Sequence, residues 1–503
     1  MKFNQTSIKL LHYLQRHQKL HLLQSLFLKE GKKMVVSEME KKAELIFIPS
    51  PDIGHLVSSL EFAKLLINTH NNIFITVLCI KFPHTPFSDS YIKSVLNLQP
   101  QIKLIDLPQV ESPPKELLIS PPCYIKALMH TLTPHVKSTI QTILSSHSNH
   151  VVGLVLDLFC LSMIDVGNEL GIPSYLFLTS NVGFLGFMLS LQNRRVDDVF
   201  NDYDPELLIP GFTNLVPSSV LPNAAYSKDG GYEAYYNLAR RINDTKGIIV
   251  NTFSDLEQYS IDALYDHDEK IPPIYAVGPL LDLKGQPNPK LDQSQLDLIL
   301  RWLDKQPNKS VVFLCFGSMG VSFGPSQIRE IALGLKHSGV RFLWAMKSPP
   351  RTNNYEEKRL PEGFLEWMEL EGKGMICGWA PQVEVLAHKA IGGFVSHCGW
   401  NSILESMWFG VPILTWPIYA EQQLNAFRMV KELGLAVELR VDYRIGSKEI
   451  VMAEEIEKGL KNLMEKENIL LKKVQEMARN AVLCGGSSFI SVGKLINIMI
   501  GSN

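Results

Sequence analysis

Short apolar runs alternate with amphipathic stretches along most of the chain, and this alternation predicts its secondary structure. The runs HLVSSLEFAKLL and CLSMIDVGNELG have the periodicity of helices. Strands that are apolar throughout and alternate with helices are typical of parallel sheets covered on both faces. In the first half, the segments that predict such strands are 43–51, 72–80, 102–108, 150–158 and 172–180.

The alternation pauses near residue 280 and then resumes. The segment 278–295 is rich in Pro, Gly and polar residues, which indicates a linker. Beyond it, further strands are predicted at SVVFLCFGS, VRFLWAM, GMICGWA, GGFVSHCG and GVPILTWP, with amphipathic helices among and after them. The expected fold class is therefore α/β, with two Rossmann-like domains facing each other across a cleft.

The expected domain organisation has an extension, two domains, a linker and a returning helix. These parts are 1–33 as a disordered extension, 34–277 as the first domain, 278–297 as the linker, 298–480 as the second domain, and 481–503 as a helix packing back on the first domain. The extension has several basic side chains and a single acid, Glu30, which also fits a targeting peptide. Its few serines and single arginine fit a disordered extension before a start at Met34.

Composition narrows the function. The chain has 46% hydrophobic and 20% charged residues, as in ordinary globular proteins, and its net charge of -2 offers no basic excess for a nucleic acid backbone. No apolar run reaches the roughly 18 residues that a membrane-spanning helix needs. The seven cysteines are scattered, odd in number and without a C-x-x-C motif, which favours reduced thiols and a cytoplasmic location.

The stretch GGFVSHCGWNSILESMWFGVP (392–412) places small and polar residues between a predicted strand and a predicted helix. The free N–H groups of a helix start suit a phosphate, and His397, Asn401 and Ser402 can add donors. Alternatively, Ser402 and Glu405 have the spacing of a capping box. The stretch matches neither G-x-G-x-x-G nor a P-loop, so an NAD-linked oxidoreductase lacks its fingerprint.

Two residues of the first half are candidates for acid–base chemistry. His55 lies where the first strand and its loop give way to a helix, and a free pKa of about 6.5 suits a general base. Without further context, a histidine there is more often a surface residue. Asp157 interrupts an apolar strand, where an unpaired carboxylate is costly. It therefore needs a partner such as a histidine, or a role as a helix N-cap, and both alternatives stay open.

The 44 residues from Trp379 to Gln422, WAPQVEVLAHKAIGGFVSHCGWNSILESMWFGVPILTWPIYAEQ, resemble the sugar-nucleotide signature of plant family-1 UDP-glycosyltransferases. The resemblance covers residues 43–500 and is strongest to the subgroup that glucosylates triterpenoids and flavonoids. It implies a GT-B fold and inverting transfer of glucose from UDP-glucose to a hydroxyl of a small apolar acceptor. A non-catalytic small-molecule binder on the same fold is the alternative.

The resemblance also implies roles for individual residues. His55 would be the catalytic base, Asp157 would support it, and Thr179 would reach the sugar. Expected contacts to the uracil and ribose come from Trp379, Ala380, Gln382 and Glu405. Expected contacts to the diphosphate come from Ser318, His397, Asn401 and Ser402. Expected contacts to the sugar come from Trp400, Glu421 and Gln422, where Glu421 replaces the commoner Asp.

No cofactor or metal is expected, since UDP-glucose is a substrate, and the chain is expected to act as a monomer without a nucleic acid partner. Asp266-His267-Asp268 spells the D-x-D motif with which other glycosyltransferases bind a metal. It lies in a charged, Pro-bounded segment and is interpreted as a surface loop, as is Asp202-Tyr203-Asp204. The apolar segments 82–92, 120–130 and 180–191 are either walls of an acceptor pocket or core helices.

Overall fold

The computed structural model describes residues 42–81, 99–146, 150–201, 203–284, 293–317, 323–346, 360–465 and 469–501. Residues 43–503 form one unit of the chain, and residues 1–42 form another. The predicted extension 1–33 lies outside the described residues. Within the described ranges, none of the helices combines the length and the apolar character that crossing a membrane requires.

The first sheet has seven strands in the order β3-β2-β1-β4-β5-β6-β7, and every neighbouring pair is parallel. Its strands are β1 (Ala43–Ile48), β2 (Ile73–Cys79), β3 (Ile102–Asp106), β4 (His150–Asp157), β5 (Ser174–Leu178), β6 (Ile248–Val250) and β7 (Ile274–Ala276). The apolar runs of the sequence predict β1 to β5. They miss β6 and β7, which have three residues each and do not lie within a longer apolar run that predicts a strand.

The second sheet has six parallel strands in the order β10-β9-β8-β11-β12-β13. Its strands are β8 (Val311–Cys315), β9 (Arg341–Ala345), β10 (Gly374–Cys377), β11 (Ile391–Ser396), β12 (Ile413–Thr415) and β13 (Ala436–Glu438). Only the three-residue β13 is missed by the sequence pattern. Two parallel sheets confirm the predicted α/β fold class with two Rossmann-like domains.

Helices cover both sheets. In the first domain they are α1 (Ile53–Thr69), α2 (Pro121–Ser145), α3 (Ile164–Leu170), α4 (Val182–Leu191), α5 (Gly231–Arg241) and α6 (Ser254–His267). Later in the chain they are α7 (Gln293–Asp304), α8 (Pro325–Ser338), α9 (Phe364–Glu371), α10 (Gln382–Ala387), α11 (Trp400–Phe409), α12 (Gln422–Phe427), α13 (Ala453–Glu465), α14 (Ile469–Ala481) and α15 (Ser487–Ile500). Short 3₁₀ turns lie at Lys115–Ile119, Leu158–Met163, Ser218–Val220, Asn223–Tyr226 and Ile242–Asp244, and a π turn at Arg428–Glu432 follows α12.

Both sheets share one feature of strand order that positions a ligand site. After three strands laid to one side, the chain crosses to the other side, so β1 lies beside β4 and β8 lies beside β11. The connections after these neighbouring strands leave in opposite directions and open a crevice at their carboxyl ends. A site is therefore expected after β1 and β4 in one domain and after β8 and β11 in the other.

A buried ion pair joins the two domains. Arg428, directly after α12, lies 2.9 Å from Glu257 of α6, and their side chains are 3% and 0% exposed. Arg428 also donates to the Gly211 carbonyl oxygen at 3.1 Å, while the other oxygen of Glu257 accepts from the Val182 N–H at 3.1 Å. Each buried charge therefore has several partners, as burial requires. In the sequence, this ion pair is indicated only by the single arginine within the apolar run AFRMV.

The last helix, α15, lies on the first sheet although it follows the second domain in sequence. Its buried side chains share one apolar cluster with residues of β1, β2 and α1. The members contributed by α15 are Val492, Leu495, Ile496 and Met499. The chain thus returns to the domain in which its described part begins.

Three local predictions differ from the structure. The predicted helix 160–171 is a 3₁₀ turn followed by α3, because the Asp157 carboxylate caps the turn directly after β4. The segment of Asp266 and His267 is the last turn of α6 rather than a loop, although Asp266 is exposed as expected. Finally, α7 begins at Gln293, inside the predicted linker 278–297.

The contact between α15 and the first sheet predicts a difference between two residues of that helix. Leu495 is fully buried, whereas Ile498 is 48% exposed. We expect Leu495→Ala to lower the free energy of unfolding by about 2–5 kcal/mol through a lost apolar contact and a cavity. Ile498→Ala should change it by less than about 0.5 kcal/mol. Urea unfolding followed by circular dichroism compares the two, and equal losses would contradict this packing.

Candidate active site

The candidate acid–base pair lies at the crevice of the first sheet. His55 is in the first turn of α1, after β1, and Asp157 ends β4. The His55 Nδ1 lies 2.6 Å from Asp157 Oδ2 and 3.1 Å from Thr179 Oγ1, which follows β5. Asp157 is fully buried, and its second oxygen accepts from the Phe159 N–H at 3.0 Å. Both alternatives for Asp157, histidine partner and N-cap, are therefore realised together.

The environment of His55 favours its protonated form. Burial lowers its pKa, but the charge of Asp157 and its hydrogen bond outweigh burial, with smaller contributions from Asp52 and Glu421. The net effect raises the pKa of His55 to about 9. With Nδ1 bonded to the carboxylate, Nε2 is the nitrogen that remains to exchange a proton with a ligand.

His397 lies at the matching crevice of the second sheet, directly after β11. It is buried, and burial lowers its pKa to about 4, so the ring is neutral at pH 7. A Cβ atom on Gly317 would lie 2.8 Å from His397 Nε2, and one on Gly399 would lie 2.6 Å from it. Both positions therefore need glycine to leave room for the ring. Its Nδ1 is buried and has no hydrogen-bond partner among the described residues.

The start of α11 forms the other side of this crevice. The helix begins at Trp400 after Gly399, and no described side chain caps it. The alternative interpretation of Ser402 and Glu405 as a capping box does not hold, because Gly399 is the N-cap residue and Ser402 already lies inside the first turn. Cys398 has a φ of 63°, an unusual value for a residue with a side chain. This turn aims the uncapped helix start, which suits an anion, toward the cleft.

The residues predicted for uracil and ribose form a connected group. Trp379 is half-buried after β10, Ala380 is buried, and Gln382 begins α10. The Gln382 Nε2 donates to Ser402 Oγ at 2.8 Å and to Glu405 Oε2 at 2.7 Å. These bonds leave the hydroxyl hydrogen of Ser402 and the second oxygen of Glu405 for other partners.

Glu405 has an unusual acidity. Burial raises its pKa, the hydrogen bond from Gln382 lowers it, and the charges of Asp282 and Glu384 raise it further, to about 7. A small change of pH near neutrality therefore changes the charge of this carboxyl group.

Two of the residues predicted for the sugar, Glu421 and Gln422, lie at the start of α12. Ala420 has a φ of 57°, and this turn places Glu421 as the N-cap residue. The Ser180 hydroxyl of the first domain lies 3.4 Å from Glu421 Oε1, so Glu421 faces across the cleft. The Gln422 Oε1 accepts from two backbone N–H groups of the preceding turn, both at 3.0 Å, which fixes its side-chain amide.

Trp400 has a different environment from the one predicted. Its side chain is 3% exposed, and the indole N–H donates to the Asn251 carbonyl oxygen of the first domain at 2.7 Å. The indole joins the two domains, and its only donor is already used. A contact from Trp400 to a sugar would therefore come from its backbone N–H, which lies at the start of α11.

The two crevices belong to one cleft. Asn401, in the first turn of α11, donates from Nδ2 to the Gly54 carbonyl oxygen at 3.1 Å. The Ser58 hydroxyl lies 3.2 Å from Asn401 Oδ1. Since Gly54 precedes His55 and Asn401 lies close to His397 in sequence, both histidines border the same space. Sequence reasoning missed Ser58, because a contact between residues of different domains leaves no local pattern.

Apolar side chains adjoin His55. The rings of His55 and Phe159 are 5.8 Å apart, and Tyr235 of α5 lies 6.4 Å beyond Phe159. Sequence analysis did not single out either aromatic residue, although Phe159 is only two residues after Asp157. Of the predicted walls, α4 lies in the core, and 120–130 contributes Leu128 and Met129 to the same core cluster. The segment 82–92 lies outside the described residues.

Some predicted positions cannot be placed or have no site around them. Ser318 and Asp202 lie outside the described residues. In the described part of the chain, no group of three or more His, Cys, Asp or Glu residues has an arrangement that could hold a metal ion.

Comparisons with known proteins identify the family of the chain. The model of the family described as UDP-glucoronosyl and UDP-glucosyl transferase matches residues 235–475. UDP-glycosyltransferase 71K2 of Pyrus communis is 53% identical over 483 residues, which are 92% of this chain and 99% of the relative. Flavonol 3-O-glucosyltransferase UGT71C4 of Arabidopsis thaliana is 47% identical, over 91% of this chain and 98% of the relative.

Solved structures of UDP-dependent transferases have the same fold as this chain. The crystal structure of Medicago truncatula UGT71G1 complexed with UDP-glucose superposes with a TM-score of 0.88 at 74% identity, covering 93% of this chain and all of that chain. A Siraitia grosvenorii transferase in complex with UDP superposes with a TM-score of 0.78 at 41% identity, over 91% and 100% of the two chains. Identity of this order over almost the whole of each chain, on one fold, confirms the predicted resemblance: the chain belongs to the plant family-1 UDP-glycosyltransferases.

Proposed function

We propose that this enzyme transfers glucose from UDP-glucose to a hydroxyl of a small apolar acceptor, with inversion at the anomeric carbon. The observation that carries the proposal is the 2.6 Å contact between His55 and the buried Asp157, at the cleft that also holds His397. This pair supplies a base for the acceptor hydroxyl, and the second domain supplies an anion-binding site at the start of α11. A non-catalytic binder has no need of such a pair.

In the proposed mechanism, His55 Nε2 takes the proton of the acceptor hydroxyl while the oxygen attacks the anomeric carbon. The bond from that carbon to the diphosphate breaks, and its electron pair leaves with UDP. Asp157 holds the ring and stabilises the imidazolium that forms, and the proton then passes to solvent. The charge that develops on the diphosphate is stabilised by the His397 N–H and the start of α11.

The donor site combines three groups of second-domain residues. Trp379 stacks on uracil, and Glu405, oriented by Gln382, accepts from the ribose. Asn401 and Ser402 donate to the diphosphate, and Ser318 is expected beside them. Glu421 and Gln422 bind the sugar hydroxyls. We assign glucose as the sugar, because the similar Medicago truncatula enzyme was crystallised in complex with UDP-glucose.

The acceptor is proposed to be a flavonoid or triterpenoid alcohol. The partly exposed Phe159 lies beside His55 and packs against the buried Tyr235, and such an aromatic ring suits a flat or polycyclic molecule. The Arabidopsis thaliana relative is named for a flavonol acceptor. We also infer a reducing compartment such as the cytoplasm, since the seven cysteines are scattered, odd in number and without a C-x-x-C motif.

The raised pKa of His55 predicts the pH dependence of catalysis. A base must be unprotonated, so kcat/KM with a triterpenoid alcohol, whose hydroxyl does not titrate, should rise with pH and level off above about 9. In Asp157→Asn, burial without the carboxylate charge should lower the pKa of His55. The rise of kcat/KM should then occur at a lower pH, below the neutral range. His55→Ala should lose roughly a hundredfold to ten-thousandfold in kcat.

Binding of UDP by each variant, measured by calorimetry, is the control and should equal that of the unaltered enzyme. Assays with UDP-glucose and a panel of phenolic and triterpenoid acceptors then measure transfer alone. Full activity of His55→Ala would remove His55 as the base. An unchanged pH profile in Asp157→Asn would show that Asp157 does not set the acidity of His55.

The acidity of Glu405 predicts a second pH dependence, in donor binding. The carboxylate accepts hydrogen bonds from ribose hydroxyls better than the neutral acid does. The affinity for UDP-glucose should therefore weaken as the pH falls through about 7. In Glu405→Gln, affinity should be lower and independent of pH over this range. Calorimetric titrations from pH 6 to pH 8 give both curves, and parallel curves would contradict the role of Glu405.

The aromatic contact with His55 predicts an effect on the acceptor alone. Phe159→Ala removes the ring beside His55, and KM for a flavonoid should rise about fivefold, as expected from the loss of an aromatic contact worth about 1 kcal/mol. The KM for UDP-glucose in the same variant is the control and should stay constant. Steady-state kinetics with each substrate varied in turn separates the two, and an unchanged flavonoid KM would place the acceptor elsewhere.

A further inference from the structure

The first turns of two helices from different domains meet at the cleft. The residues that make this contact are 343 and 347 positions apart in the chain. Asn401 Nδ2 donates to the Gly54 carbonyl oxygen, and Ser58 Oγ lies within hydrogen-bond distance of both that oxygen and Asn401 Oδ1. With Nδ2 on the carbonyl, the single hydrogen of Ser58 can go to Oδ1, so that two hydrogen bonds join the Asn401 amide to the start of α1.

These two hydrogen bonds help to fix the backbone that precedes His55. The Gly54 N–H is bonded to Asp52 Oδ1 at 2.8 Å, and its carbonyl oxygen is bonded to Asn401. The next residue is His55, whose ring is bonded to Asp157 and contacts Thr179. The His55 ring is therefore fixed by residues of the first domain. The backbone next to His55 is fixed by Asn401 of the second domain.

The same side chain of Asn401 also belongs to the start of α11, where the diphosphate is proposed to bind. Its amide has two hydrogens, one used by Gly54 and one left for an anion. Asn401 can therefore touch the donor and the backbone next to the base at the same time.

We propose that Ser58 is a positioning residue, which acts through Asn401 to hold His55 at a fixed distance from the donor. The inference rests on the roles proposed above for His55 and for the start of α11. Transfer requires the acceptor oxygen and the anomeric carbon to approach within about 3–3.5 Å, and a displacement of 1 Å can cost about a hundredfold in rate. A buried hydroxyl that bridges two domains beside the base restricts such displacement.

The neighbouring residue provides a matched control. Ser59 is also buried, on the same helix, and its hydroxyl donates to the His55 carbonyl oxygen four residues back at 2.9 Å. Ser58 Oγ has the equivalent position, 3.1 Å from the Gly54 carbonyl oxygen four residues back. The two serines differ in that Ser58 also reaches the second domain.

The test compares Ser58→Ala with Ser59→Ala in the full-length enzyme. We expect kcat to fall about tenfold in Ser58→Ala and to change less than twofold in Ser59→Ala. The melting temperature, the calorimetric affinity for UDP and the KM for UDP-glucose should be equal in the two variants. Equal kcat values, or a loss in Ser58→Ala that is accompanied by weaker UDP binding, would overturn the inference.

A double-mutant cycle with Asn401→Ala shows whether Ser58 acts through Asn401. Asn401→Ala lowers activity by itself, and Ser58→Ala should then cost nothing further. An undiminished cost of Ser58→Ala in that background would also overturn the inference. The outcome is separable from the proposed function: loss of transfer in His55→Ala with normal kcat in Ser58→Ala refutes the positioning role alone, whereas transfer by His55→Ala refutes the proposed base.

Discussion

The hydrogen bond between His55 and Asp157 can form because β1 and β4 lie side by side in the first sheet. These strands are distant in sequence and become neighbours because the chain crosses over after β3. Parallel strands bring their carboxyl ends to one edge, so a residue after β1 meets a residue at the end of β4. The same crossing in the second sheet places His397 beside Gly317. The cleft is thus formed by two copies of one strand order.

The two histidines of this cleft have opposite acidities although burial acts on both in the same direction. Among the described residues, burial alone acts on His397 without a compensating carboxylate, so its pKa falls to about 4. His55 has Asp157 at 2.6 Å, so its pKa rises to about 9. One ring is therefore neutral and suited to donate a hydrogen bond to an anion, while the other binds a proton strongly. The position of one buried carboxylate determines this difference.

The sequence predicts long apolar strands and the long signature block well. It predicts contacts between residues that are distant in sequence less well. The apolar runs predict β1 to β5, but β6, β7 and β13 have three residues each and leave no periodicity. The block from Trp379 to Gln422 predicts the family, which is confirmed. Its motif could not show that Gly399, rather than Ser402, precedes the helix, or that the indole of Trp400 is bonded to Asn251. The roles of the site residues remain predictions.

The return of α15 to the first sheet has a consequence for how the enzyme is made. Domains generally fold in order as a nascent chain leaves the ribosome. Here the apolar face that Leu495 and Met499 cover belongs to strands synthesised several hundred residues earlier. That face stays open to water, and to chaperones, until α15 has been synthesised. The amino-terminal half therefore reaches its final form only after the carboxyl-terminal half has been produced.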